Sequence, residues 1–133
     1  MTLSFNDLIG LPYKWAAKPE EGATDCLQLV SEVRRRLGLY DHSKEFAWIY
    51  EKWEETSFPA LQIVKWARKH GIKTVPRAGA IGYLKARQAG VALGVMVDDE
   101  SFLFISPGGN ATRTGLYNLP RIRLYWGKAD AAI

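Results

Sequence analysis

The sequence predicts an α+β domain, with N-terminal helices packed on one side of a C-terminal antiparallel sheet. The first half carries apolar residues at helical spacing. From Ala80 onward the texture changes to short runs rich in β-branched and aromatic residues, AIGYL, VALGVMV, SFLFIS and RIRLYW, separated by Gly, Pro, Asp and Asn. Helices first and antiparallel strands second argue for an α+β domain with its helices packed on one side of a meander. A chain of 133 residues suits one core, so the whole of 1–133 reads as a single domain, helical over about 1–71 and sheet over about 79–126.

In chain order, Ser4 is placed to cap a short first helix, with Asp7 where a carboxylate favours a helix N-terminus and Leu8 and Ile9 on the apolar side. Gly10 and Pro12 break it, and Leu11 to Glu21 reads as a loop carrying Tyr13 and Trp15. The clearest element runs from Thr24 to Leu37, where Cys26, Val30, Val33 and Leu37 share one helical face. Thr24 is the expected cap and Gly38 the expected stop, while Arg34, Arg35 and Arg36 fall in the last turn, where positive charge suits the macrodipole. Helices are further expected over Lys44 to Trp53 and Ser57 to His70. In the second, Ser57 would cap, Pro59 is tolerated in the first turn and Gly71 would end it. In the sheet half, Asp98-Asp99-Glu100 reads as a hairpin turn and Pro107-Gly108-Gly109-Asn110 as another reversal. Lys128 to Ile133, rich in Ala, has no clear structural pull.

The bulk numbers exclude several classes. A hydrophobic content of 47%, with five Trp, six Tyr and five Phe, is too rich in large apolar side chains for a disordered segment. Eighteen Lys and Arg against 14 Asp and Glu give +4, which decides little about partners. The arginine run is better explained by the helix end than by nucleic acid, and Lys65, Arg68 and Lys69 likewise read as an exposed face. One cysteine cannot form an intrachain disulfide, and no set of thiolates exists to hold a structural zinc. No cofactor or metal is expected. MTLSFNDLIGLPYKW lacks the pattern of a secretory signal, no stretch approaches the ~20 apolar residues of a membrane span, and Asn110-Ala111-Thr112 reads as a chance sequon. The chain is expected to be made in the cytoplasm without an export signal.

Cys26 is the residue on which function turns. At the first turn of a helix a thiol lies near unpaired backbone N–H groups, which favours thiolate and lowers the pKa. On position alone it reads as a small buried hydrophobe sharing a face with Val30, Val33 and Leu37. The residues before it change that weighing. LIGLPYKW, a loop, then TDCLQLV resembles the active-site segment of the NlpC-like cysteine peptidases, papain-like hydrolases that cut amide bonds in peptidoglycan stem peptides, especially the single-domain forms of phage tails and gene transfer agents. The family reads G-x-P-Y-x-W-G-G and then D-C-x-G-L-V. Gly10, Pro12, Tyr13, Trp15, Asp25, Cys26, Leu29 and Val30 match, whereas Ala16 and Ala17 replace the glycine pair and Gln28 replaces the glycine after the nucleophile.

The resemblance implies a papain-like, NlpC-type fold with Cys26 as the nucleophile, vestigial or active, and Tyr13 as the polar group near the oxyanion. It also exposes a loss. Aligned with the family strand H-V-G-I-Y-L-G, Ala92 occupies the position of the catalytic histidine, and Phe104 falls near that of the third, orienting residue. Attack on an amide by cysteine needs a base and then an acid for the departing amine, and alanine supplies neither. His42, beside Asp41, reads as a solvated loop residue, and His70 as a favourable charge at a helix C-terminus. Lys85 and Arg87 could favour thiolate but could not shuttle protons at neutral pH.

The expected function is therefore a catalytically impaired NlpC-like domain serving as a structural or binding component of a phage tail or related particle, with other particle proteins and peptidoglycan as its partners. An active peptidoglycan hydrolase using Cys26 is the first alternative and a basic nucleic-acid binder the last. Trp48, Trp53, Trp66 and Trp126 read mainly as packing residues, while Trp15 should border Cys26.

Overall fold

The computed structural model describes residues 4–54, 61–86, 90–106, 108–119 and 122–127. Ser57, Pro59, Arg87, Pro107 and the segment Lys128 to Ile133, all named above, lie outside the described residues. The described chain is mixed α+β. Three helices, α1 (Cys26–Arg36), α2 (Ser43–Lys52) and α3 (Leu61–His70), precede six strands: β1 (Gly71–Lys73), β2 (Ile81–Ala86), β3 (Gly90–Met96), β4 (Ser101–Phe104), β5 (Thr112–Gly115) and β6 (Arg123–Gly127).

The strands form one sheet in the order β1-β6-β2-β3-β4-β5, and each neighbouring pair is antiparallel. A simple meander was expected. Instead only β2 to β5 follow one another, and β6 returns to lie between β1 and β2. The short β1 is the reason, because Gly71 does not merely end α3: the chain passes directly from His70 into a strand that pairs Ile72 with Trp126. A Cβ at Gly71 would meet the Ala67 carbonyl at 2.6 Å and Tyr125 Cβ at 2.8 Å, so this tight passage requires glycine. The polar run Thr112–Gly115 forms the other edge, pairing with β4 although it lacks an apolar alternation.

Strand alternation divides the buried residues cleanly. Ile81, Tyr83, Leu93, Val95, Leu103 and Tyr125 face Leu27, Leu29, Val30 and Val33 of α1, and this is the main core. The intervening residues Met96, Phe102, Leu124 and Trp126, with Ala80, form a second cluster on the opposite face, where Leu39, Leu116 and Leu119 pack. Both faces of the sheet are thus covered.

Three local expectations change. The first short helix is a single 3-10 turn over Asn6–Leu8, where Ser4 Oγ accepts from the Asn6 N–H at 3.3 Å, and Asp7 turns to Arg36, its oxygens accepting from both Nη atoms at 2.7 Å. A second 3-10 turn, Pro19–Glu21, lies within the expected loop. The cap of α1 is Asp25 rather than Thr24, with Oδ1 accepting from the Gln28 N–H at 2.8 Å. At the other end Gly38, at φ 74°, stops α1 as expected.

The arginine run at this end divides in two. Arg35 and Arg36 are partly exposed and pair with Glu32, and reach Asp41 and Asp7 respectively. Arg34 is fully buried, which the macrodipole reading did not foresee. It donates to the carbonyls of Gly79 and Tyr40 and lies 5.5 Å from the centroid of the Trp126 ring. Its guanidinium therefore pins the end of α1 to the entry of β2. Hydrogen bonds from a charged donor contribute about 1.5–3 kcal/mol, and removing the donor strands its acceptors. Arg34→Met, which keeps the apolar stem, should cost about 2–4 kcal/mol after the gain from burying no charge, as read from the urea midpoint at unchanged slope.

Candidate functional site around Cys26

Cys26 opens α1, and the loop before it is stitched down on two sides. Gly10 and Tyr13 donate their N–H groups to the carbonyls of Ala111 and Gly109, and Ala111 donates back to Leu11. Lys14 donates to Thr24 and Thr24 to Pro12, each at 3.0 Å. These bonds carry Tyr13 and Trp15 to the same core cluster against which Cys26 packs. The loop and the start of α1 thus lie against the same side of the main core.

The centre of this region is the Asp25 carboxylate, which is fully buried. Oδ1 accepts from the Gln28 N–H at 2.8 Å. Oδ2 accepts from the Ala16 N–H at 2.8 Å and from the Tyr50 hydroxyl at 2.7 Å. One side chain thereby ties the loop, α1 and α2 together. Burial raises the Asp25 pKa, and the donors from Gln28, Tyr50 and Ala16 oppose that rise. Burial, followed by the neighbouring Asp25 charge, also raises the pKa of Tyr50. Trp15 packs edge-on against Tyr50, with ring centroids 5.1 Å apart, and so closes this network from the loop side.

The same carboxylate shapes Cys26. Burial is the largest influence on the thiol and the Asp25 charge the next, and together they push its pKa up to about 12. The N–H groups of Leu93, Leu27 and Cys26 itself act in the opposite direction and are outweighed. The residue retains some solvent exposure, but its sulfur is closely surrounded by protein. The expectation of a helix-activated thiolate is therefore corrected. A partial charge of roughly half a unit at the helix end does not overcome desolvation plus a full negative charge one residue away.

The Leu93 N–H that faces the sulfur places β3 across from Cys26. Ala92 is adjacent in that strand, paired with Leu84, and has the parity of Gly94 and Met96 rather than that of Leu93 and Val95. Phe104 does not come to Cys26. It pairs with Gly94, stacks on Phe102 at 6.1 Å and belongs to the cluster on the far face of the sheet.

His70 stands in the last turn of α3 as expected, whereas His42 does not take the expected place. His42 is buried, 2% exposed, at the start of α2, and not a solvated loop residue. Its ring sits edge-on to Tyr40 and Trp66, each 4.9 Å away. His70 also packs on Trp66, at 5.7 Å. The two imidazoles belong to an aromatic cluster built on Trp66. Among the described residues no group of three or more His, Cys, Asp or Glu is arranged to hold a metal ion.

Tyr50 and the Leu93 N–H were not anticipated from sequence. The contacts join residues far apart in the chain, and no local pattern announces them. The role of Asp25 as cap was legible, because an Asp three residues before Gln28 is a capping pattern. Gln28 itself is buried, with Oε1 lacking a hydrogen-bond partner.

Comparison with known proteins returns no family model, no curated protein and no solved structure that matches this chain.

Two measurements check this geometry. With burial and the Asp25 charge pushing the thiol pKa up to about 12, iodoacetamide should alkylate native Cys26 slowly at neutral pH, with a rate that climbs about tenfold per pH unit from pH 7 to 10 without a plateau. A plateau below pH 9 would show an activated thiol. Ala16 sits at φ 65°, a left-handed conformation, and is exposed. Relieving strain of roughly 1–2 kcal/mol outweighs a glycine entropy cost of roughly 0.4–1 kcal/mol, so Ala16→Gly should stabilise the fold by about 0.5–1 kcal/mol in thermal unfolding.

Proposed function

We propose that this chain is a catalytically impaired NlpC-like domain, of papain-like fold, serving as a structural or binding component of a phage tail or related particle. The observation that carries the reading is the state of Cys26. A cysteine hydrolase must hold a thiolate and then protonate an amine. Here burial and Asp25 hold the thiol neutral at physiological pH, and the two histidines pack on Trp66. The nucleophile's place is kept while its chemistry is suppressed.

Support for descent from an active papain-like fold comes from the order of parts. A cysteine opens the first long helix, that helix packs on a central antiparallel strand, and the loop bearing Tyr13 and Trp15 is hydrogen-bonded through Ala16 to Asp25, the residue before the cysteine. Ala16 adds an independent trace, since its left-handed backbone suits the glycine found at that position in the family. The particle assignment rests on the sequence resemblance. Against a nucleic-acid role, Arg34 is buried and Arg35 and Arg36 are engaged by carboxylates of the same chain.

Purified peptidoglycan incubated with the protein should release no stem-peptide fragments above the level seen with Cys26→Ala, as followed by mass spectrometry. Release that requires Cys26 would overturn the architectural reading in favour of an active hydrolase.

A further inference from the structure

Away from Cys26, α2 and α3 border a surface groove of about 210 Å³ lined by Trp48, Gln62, Lys65, Trp66, Lys69 and His70. Five of these come from α3 at spacings of three and four, so they form one face of that helix. Trp48 reaches across from α2 and is 41% exposed, unusual for so large an apolar side chain. It is nonetheless held in place, edge-on to Trp53 at 5.2 Å, with the Lys52 ammonium 4.9 Å above the Trp53 ring. On the other wall His70 and His42 pack against Trp66 and fix its ring. Rigid, half-exposed aromatics lose little entropy when covered, which is why they anchor protein interfaces.

The charge of the lining narrows the occupant. Lys65 and Lys69 are exposed, and among the described residues lining the groove none is acidic. A second cavity, bordered by Lys18, Gln28, Arg35, Ser43, Ala47 and Tyr50, differs in this respect, since its Arg35 is already paired with Glu32 and Asp41. The groove at Trp48 therefore favours an anionic occupant with an apolar anchor. Its volume suits one large side chain. Two ammonium groups one turn apart do not make the extended basic track that a phosphate backbone requires.

We propose that the α2–α3 groove docks an acidic segment of a partner protein, seating an aromatic or branched aliphatic side chain against Trp48 and Trp66 with flanking carboxylates at Lys65 and Lys69. The inference deepens the architectural reading and rests on it in taking a protein as the occupant.

The test uses the full chain and a fluorescein-labelled peptide, Asp-Glu-Phe-Glu-Asp, followed by fluorescence polarisation. Three further probes are the same peptide with Lys at each acidic position, one with Gly for Phe, and a labelled single-stranded oligonucleotide. The acidic peptide should bind saturably and more tightly than any of these. Its Kd should rise at least tenfold in the double variant Lys65→Glu, Lys69→Glu, and about tenfold in Trp48→Ala. Both sites are exposed, and circular dichroism checks that the variants remain folded. The inference is overturned if no saturation occurs by about 1 mM, if the variants bind as the parent does, or if the oligonucleotide binds more tightly than the peptide. Peptidoglycan release is read separately: Cys26-dependent cleavage would sink the impaired-enzyme reading whatever the peptide does, and absent peptide binding would leave the Cys26 chemistry as described.

Discussion

The buried carboxylate of Asp25 is the constraint around which the helical half is organised. It accepts from a backbone N–H of the preceding loop, a backbone N–H of α1 and the hydroxyl of Tyr50 on α2. A carboxylate removed from water is costly unless its lone pairs are satisfied, and three donors from three elements supply that compensation. Once those donors are drawn to one point, the loop must pass beside the start of α1, and Trp15 is brought onto Tyr50. The placement of Cys26 follows, since it is the next residue and the first of the helix.

That arrangement has a chemical consequence. A helix start ordinarily favours a thiolate, but here the charge that secures the helix is itself negative and adjacent to the sulfur. Structural cohesion and nucleophile activation therefore oppose each other at neighbouring residues. An enzyme resolves such a conflict with a positive partner near the sulfur. In this fold the imidazoles serve the Trp66 cluster instead, so the balance falls on the side of cohesion. Arg34 plays the matching part at the far end of α1, where a buried guanidinium joins the helix to the start of β2 through backbone carbonyls. Both ends of α1 are thus secured by buried ionisable side chains, and its middle by apolar contact with β3.

Much of this was readable from sequence where the cause is local. The 3.6-residue spacing from Cys26 to Leu37 marked α1, Gly38 marked its end, and the apolar runs marked β2, β3, β4 and β6. Strands β1 and β5 were missed because neither has a burial pattern of its own. Gly71–Lys73 becomes a strand only because β6 returns beside it, and Thr112–Gly115 only because β4 offers an edge. Arg34 and His42 were misplaced for a related reason. Charge and polarity predict exposure on average, whereas the burial of each depends on what the fold packs over it.

The candidate site divides along the same line. Sequence by itself determined that a cysteine would open a helix behind a loop bearing Tyr13 and Trp15, because spacing and residue identity are properties of the chain. Only the tertiary structure decided that Asp25 would be enclosed by donors from three elements, that Phe104 would turn to the far face of the sheet, and that Cys26 would be desolvated beside a carboxylate. Ionisation depends on the water excluded and the charges brought near, and both are set by segments distant in sequence that meet only when the chain folds.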